Sequence, residues 1–259
     1  MVTRPPTTVG LGYARRMTES RSAFVLGARN LGGSIAGDLV QAGFRVAAVA
    51  RSADSLERVR GLGALALEAD ATDSAQLTRA VKEAEAAHGP ASLFVNAISA
   101  ARPTGDGPWG GGPVAEAGVE GVRQWCAPVA EQCALFLQVA ATALREAGGG
   151  GGTIVQVTGG SARRAMPGRG AWAAGAAATR ALVHAAAQEL REEDIHVALL
   201  IVDATIASPK TADRTVGTPE RNLIRESDVA AAVRYLAGQE VRGLTHELVV
   251  TPAGDRWLP

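Results

Sequence analysis

The 259-residue sequence has very little tyrosine, lysine or cysteine. Tyrosine occurs only at Tyr13 and Tyr235, lysine only at Lys82 and Lys210, and cysteine only at Cys126 and Cys133. Two thiols seven residues apart in a helical pattern make no disulfide framework and read as reduced core or interface residues. An excess of either charge is also missing. Lys+Arg and Asp+Glu both number 26, for a formal net charge of zero and a pI near 6.9. That balance lacks the basic surplus of a nucleic-acid footprint or a polybasic membrane anchor, so neither partner is expected. By inspection of the sequence, no stretch reaches the roughly 18 apolar residues of a membrane span. Residues 1–21 carry Arg15-Arg16 with no apolar run behind them and read as a flexible N-terminal tail, not a signal peptide. A cytoplasmic location is expected. No His, Cys, Asp and Glu set has metal-ligand spacing, so no metal is expected.

What is present is a chain 47% hydrophobic with a mean hydropathy of +0.07, enough for one substantial core over residues 22–259. Short apolar runs alternate with amphipathic segments, the pattern of a parallel sheet covered by helices on both faces. The predicted strands are Ala23–Leu26, Arg45–Ala50, Ala64–Glu68, Leu93–Asn96, Thr153–Val157, His196–Val202 and His246–Val250. The predicted helices are Ser34–Ala42, Ser55–Gly61, Ser74–His88, Val122–Ala147, Ala171–Leu190 and Asp228–Ala237, with Ser74 and Ser227 as N-caps and Gly43 and Gly238 as stops. The fold class is α/β, doubly wound, with about seven parallel strands in a three-layer α/β/α stack. The tract Gly148–Gly152 reads as a flexible connection, and Gly105–Pro113 as a long loop near the ligand edge of the sheet, covering a pocket or disordered.

The first strand runs into Gly27-Ala28-Arg29-Asn30-Leu31-Gly32-Gly33 and then a helix. Glycines there let the backbone approach a pyrophosphate resting on the N–H groups of the helix start. The second strand ends at Arg51-Ser52, where an acidic residue would take a ribose 2′-hydroxyl and an arginine suits a 2′-phosphate. With Arg29 as a second charge, the pair favours NADP over NAD. Two solvated arginines in an arginine-rich chain are the plainer alternative.

These features, together with Asp70-Ala71 after the third strand, Val95-Asn96-Ala97-Ile98 at the fourth and the Trp172 helix feeding HVALLIVDATIASP, resemble the short-chain dehydrogenase/reductase family from about Ala23 to Val250. The resemblance implies a Rossmann-like fold. It also implies that Asp70 and Ala71 hold the adenine, that Asn96 and Ala97 support the strand edge beside the cofactor, and that Ile206, Ser208 and Pro209 lie against the nicotinamide amide. The chain departs from the family's glycine turn by one missing residue, Asn30-Leu31-Gly32 standing for Gly-x-Gly. It also has Ile98 in place of a glycine, and Val202-Asp203 in place of Pro-Gly.

The family's chemistry uses Asn, Ser, Tyr and Lys, with tyrosine as the acid–base and lysine lowering its pKa. Here those places hold Glu131 (give or take a residue), Gly159, Trp172 and Ala176. No shift of register brings a Tyr–Lys pair into the helix, and an indole only donates. The enoyl-thioester reductase branch, which Gly27-Ala28-Arg29-Asn30 and Ala97-Ile98-Ser99 faintly match, needs the same pair. Thr158 and Ser161 are candidate substitutes for bonding a ligand oxygen. Arg163, Arg164 and Arg169 are candidates for binding an anion, and Asp203 or Glu131 for a carboxylate base. For each of these, as for His88, His184, His196 and His246, a solvated or packed structural residue is the plainer reading. Three functions remain open: an NADP-dependent oxidoreductase with diverged chemistry and an unidentified small-molecule substrate; a non-redox cyclase, isomerase or lyase; and a non-catalytic ligand-binding or partner subunit. The apolar helices after the fourth and fifth strands suit a homodimer or homotetramer.

Overall fold

Seven runs of small and β-branched residues pair side by side, all parallel, in a sheet ordered β3-β2-β1-β4-β5-β6-β9. The strands are β1 (Ser22–Leu26), β2 (Arg45–Ala50), β3 (Leu65–Glu68), β4 (Leu93–Asn96), β5 (Gly152–Gly159), β6 (Ile195–Val202) and β9 (Glu247–Val250). A separate parallel pair joins β7 (Thr205–Ala207) to β8 (Leu223–Arg225), which the sequence pattern did not signal. The structure is a computed structural model and describes residues 21–98, 103, 107–148 and 151–255. The predicted tail with Tyr13, and parts of the two glycine-rich tracts, lie outside the described residues.

Alternate strand residues face opposite sides, and both sides are buried, which is why the strands read as continuous apolar runs. One face packs Phe24, Leu26, Phe94, Ile154 and Leu199 under helices α3 (Ser74–His88), α4 (Val114–Glu146) and α5 (Gly170–Glu189). The other packs Val25, Val46, Val95, Val155 and Leu200 under α1 (Asn30–Gln41), α2 (Ala53–Gly61) and α7 (Glu226–Ala237). A short α6 (Ala212–Thr215) lies in the connection between β7 and β8. Successive strands leave β1 first toward β3 and then, from β4, in the opposite direction. The crevice between β1 and β4 at their carboxyl ends is therefore the place where such a sheet takes a ligand.

Several boundaries differ from the sequence reading for local reasons. Helix α1 begins at Asn30, four residues early, because the glycines of the turn form its first turn. Helix α4 begins at Val114 and breaks at Gly118, whose φ of 61° interrupts two helical pieces. Asp73, not Ser74, caps α3 by accepting from the N–H groups of Ala75 and Gln76. At α7 the capping carboxylate is Asp228, which accepts from the Arg225 N–H, while Ser227 lies inside the helix. Helix α4 also contains an 18-residue window apolar enough by composition to cross a membrane, contrary to the sequence expectation; 44% of that window is buried, and the helix packs on α5.

His196 on β6 and His246 beside β9 meet edge to face, with ring centroids 5.6 Å apart. Each bonds a backbone carbonyl: His196 Nε2 that of Thr245 at 2.9 Å, and His246 Nδ1 that of Val197 at 3.0 Å. Burial pushes the pKa of His196 below its ordinary value, so the folded chain keeps this ring neutral while the unfolded chain protonates near pH 6.5. Stability is thus whole above the unfolded pKa and declines as pH falls through it. The expected result is a thermal midpoint that drops between pH 7 and pH 5, with the drop reduced in His196→Gln. An unchanged pH slope in the variant refutes this account.

Candidate functional site

A cavity of about 710 Å³ opens at the carboxyl ends of β1, β2 and β4. Gly27, Arg29, Asn30, Leu31, Arg51, Ser52, Asp70, Ala71 and Ala97 all contribute to its wall, so the structure brings most of the predicted cofactor residues together. Gly32 and Asn96 support the wall from behind. A methyl group on Gly32 would lie 1.3 Å from the Gly27 carbonyl oxygen, so only glycine lets α1 start this close to the end of β1. Gly27 itself has φ 95°, and its bare side faces Ile98 and Ala97. The chain bends there while its N–H still bonds the Val49 carbonyl at 3.0 Å. Arg29 is the N-cap of α1 and makes no side-chain cap, and the first-turn residues Asn30 and Leu31 lie in the cavity wall.

At the β2–β3 end, Arg51 Nη1 lies 3.3 Å from Asp70 Oδ2. Oδ1 of Asp70 accepts from the backbone N–H and the hydroxyl of Thr72 at 2.9 and 2.7 Å. Those two bonds, with Arg51 beside them, hold the Asp70 carboxyl below its ordinary pKa despite some burial. Arg51 and Asp70, expected from the sequence as separate contacts, pair with each other.

The wall also contains Ser55, Thr72, Gln132, Lys210, Thr211 and Glu226, none of which is expected from the sequence as a cofactor residue. Ile206 and Ser208 line it as the resemblance implies, whereas Pro209 does not. Burial raises the pKa of Glu226, the charge of Arg58 opposing, and its Oε1 has no hydrogen-bond partner. Ile98, where the family keeps glycine, also lies in the wall.

The predicted catalytic places are elsewhere. Glu131 is exposed on α4, and its neighbour Gln132 is the residue that faces inward. Gly159 ends β5 exposed, Thr158 and Ser161 are half-buried, and Ala176 is in the core. None of these, nor Trp172, belongs to the cavity wall. Trp172, in the first turn of α5, packs with Trp109 at 5.5 Å and Trp125 at 6.1 Å between ring centroids, and the Arg169 guanidinium lies 4.7 Å over Trp109. The described part of the loop before α4 is thus tied down. Gly110, Gly111 and Gly112 all have positive φ, and methyl groups on them would strike Arg169, Ala171 and Pro108.

The remaining candidates are engaged in structural contacts. Arg164 bonds the buried Asp203 at 3.1 Å, and Arg163 lies 4.0 Å from Glu247. Glu247 also receives both Arg180 nitrogens and lies 3.0 Å from His184 Nε2. Cys126 and Cys133 are free thiols, and burial pushes Cys133 up to about 12. Among the described residues no three His, Cys, Asp or Glu side chains gather as a metal site.

Gly32→Ala tests the cradle. The added methyl forces α1 away from Gly27, and the expected cost is about 3 kcal/mol, read from urea unfolding. Wild-type stability in this variant excludes the close packing described.

Residues 25–254 match the family model described as enoyl-(acyl carrier protein) reductase. No curated protein matches the chain. Among solved structures, the TT0495 protein of Thermus thermophilus is similar at 27% identity and a TM-score of 0.72, over 91% of this chain and 98% of that one. A metagenomic short-chain oxidoreductase in complex with NADP is similar at 25% identity and a TM-score of 0.68, over 90% and 96%. An alcohol dehydrogenase from the archaeon Thermococcus sibiricus, complexed with 5-hydroxy-NADP, shares the fold at 21% identity and a TM-score of 0.71, over 93% and 100%. The sheet order, the glycine turn under its cavity and the match along nearly the whole chain lead to one conclusion: this protein belongs to the short-chain dehydrogenase/reductase family.

Proposed function

We propose that the cavity binds NADP(H) and that the chain is an oxidoreductase-type protein whose reactive site has diverged from its family's. The observation that carries this is the single wall joining Arg51, the open N-terminus of α1 and the Ala97–Ile98 edge. The methyl-excluding contact at Gly27–Gly32 fits a pyrophosphate against bare backbone. Arg51 fits a 2′-phosphate, and with 71% of its side chain exposed it can leave Asp70 for a stronger anion. The NADP-bound metagenomic relative supports the same assignment. Bound NADPH would supply a hydride. The residues of this chain would hold its adenine at Asp70 and Ala71, its pyrophosphate at Asn30 and Leu31, and its far half near Ile206 and Ser208.

No tyrosine or lysine stands on α5, so a Tyr–Lys proton transfer is not proposed. The packing of Trp172 into an indole cluster at the tyrosine place favours, as a second reading, a subunit that binds the dinucleotide without turnover. A homodimer or homotetramer through α4 and α5 is also proposed. The exposed alanines Ala174, Ala177, Ala181 and Ala185 recur at helical spacing and would allow close helix approach.

Calorimetry should find NADPH binding tighter than NADH, with Arg51→Ala weakening NADPH about tenfold and leaving NADH unchanged. Equal affinities, or no heat with either, overturn the assignment. Light scattering after size exclusion should give a dimer or tetramer mass; a monomer ends the assembly proposal.

A further inference from the structure

Gln132 is in the cavity wall and only 5% exposed. Its amide belongs to a buried group of three whose orientations are fixed from both ends. The Ile98 N–H can only donate, and at 3.1 Å it selects Oδ1 as the Asn96 atom facing it. Nδ2 of Asn96 therefore faces the glutamines, donating to Oε1 of Gln132 at 2.9 Å and to Oε1 of Gln156 at 2.8 Å. The Val157 carbonyl can only accept, and it takes Nε2 of Gln156 at 2.9 Å. Turning any one amide over sets donor against donor or acceptor against acceptor. One group is left over: Nε2 of Gln132 is buried and meets no acceptor in the protein. A buried donor without a partner is costly, and at a cavity wall it marks a place where a ligand acceptor completes the network.

The sheet order says which part of a ligand that is. Arg51 and Asp70 lie at the β2–β3 end of the cavity, the α1 turn lies over β1, and Gln132 sits with Ala97 and Ile98 past β4. A dinucleotide with its 2′-phosphate on Arg51 and its pyrophosphate on α1 reaches the β4 side with its nicotinamide-ribosyl half. We propose that Gln132 holds that half, donating from Nε2 to one of its oxygens, and that Asn96 and Gln156 are positioning residues that keep Gln132 a donor. The inference rests on the NADP(H) reading above.

The test compares NADPH with 2′,5′-ADP, which lacks the nicotinamide-ribosyl half, by calorimetry on the full chain. Gln132→Leu should weaken NADPH about fivefold to tenfold and leave 2′,5′-ADP within about twofold. Gln132→Glu keeps an oxygen for Asn96 Nδ2 but turns the free atom into an acceptor. At pH 8 its NADPH-to-2′,5′-ADP affinity ratio should fall at least as far as in Gln132→Leu. The ratio should recover as pH drops and the new carboxyl regains a hydrogen, a response that a packing defect would not give. Should the leucine variant fail to fold, the glutamate variant decides alone. A ratio equal to wild type in a folded variant overturns the inference while leaving the NADP(H) reading standing. Failure of 2′,5′-ADP to bind the wild-type chain removes that reading and the inference with it.

Discussion

The contact between Gly32 and the Gly27 carbonyl sets the spacing on which the cavity depends. Where a strand end and a helix start meet with no side chain between them, the helix can begin within the turn itself, as α1 does at Asn30. Its first residues, Asn30 and Leu31, then lie in the cavity wall, with no side-chain cap on the helix. The cavity behind that edge follows from sheet topology. Strands added first on one side of β1 and then on the other leave a gap that no crossover helix fills. Arg51, Asp70 and Ala97 come to the gap because each lies at the carboxyl end of its own strand.

The region around the first turn of α5, outside the cavity wall, is organised by packing instead of polarity. Trp109, Trp125 and Trp172 come from a loop and two helices and meet around the first turn of α5. The polar residues nearest in sequence are occupied: Arg164 by Asp203, Arg163 and His184 by Glu247, and Arg169 by the Trp109 ring. Each of these polar groups finds a partner within the fold, which offsets the cost of partly burying it.

The sheet was legible in the sequence because its strands are buried on both faces and so read as unbroken apolar runs between amphipathic helices. The nucleotide end was legible for a related reason: glycines and strand-end residues occupy positions fixed by backbone geometry. Gln132 lies within the one-residue latitude of the place expected near Glu131, and the sequence does not choose between the two. Helix α4 is broken at Gly118 and carries Pro128, so counting along it does not tell which of two adjacent polar residues turns inward. Glu226 was not legible because it reaches the cavity from the start of α7, just after β8, and the three-residue strands β7 and β8 carry too short a pattern to read. The Arg51–Asp70 pair joins residues 19 apart, and only adjacency of β2 and β3 reveals it.

The three consecutive left-handed glycines at 110–112 bear on how far the segment before α4 can move. Each is pressed against a neighbour that a single methyl group would strike, and Trp109 beside them is wedged between two other indoles and a guanidinium. A loop so fastened cannot swing as a hinged cover; it would have to unstack first. Moving Trp109 would cost its contacts with both indoles and with the Arg169 guanidinium together.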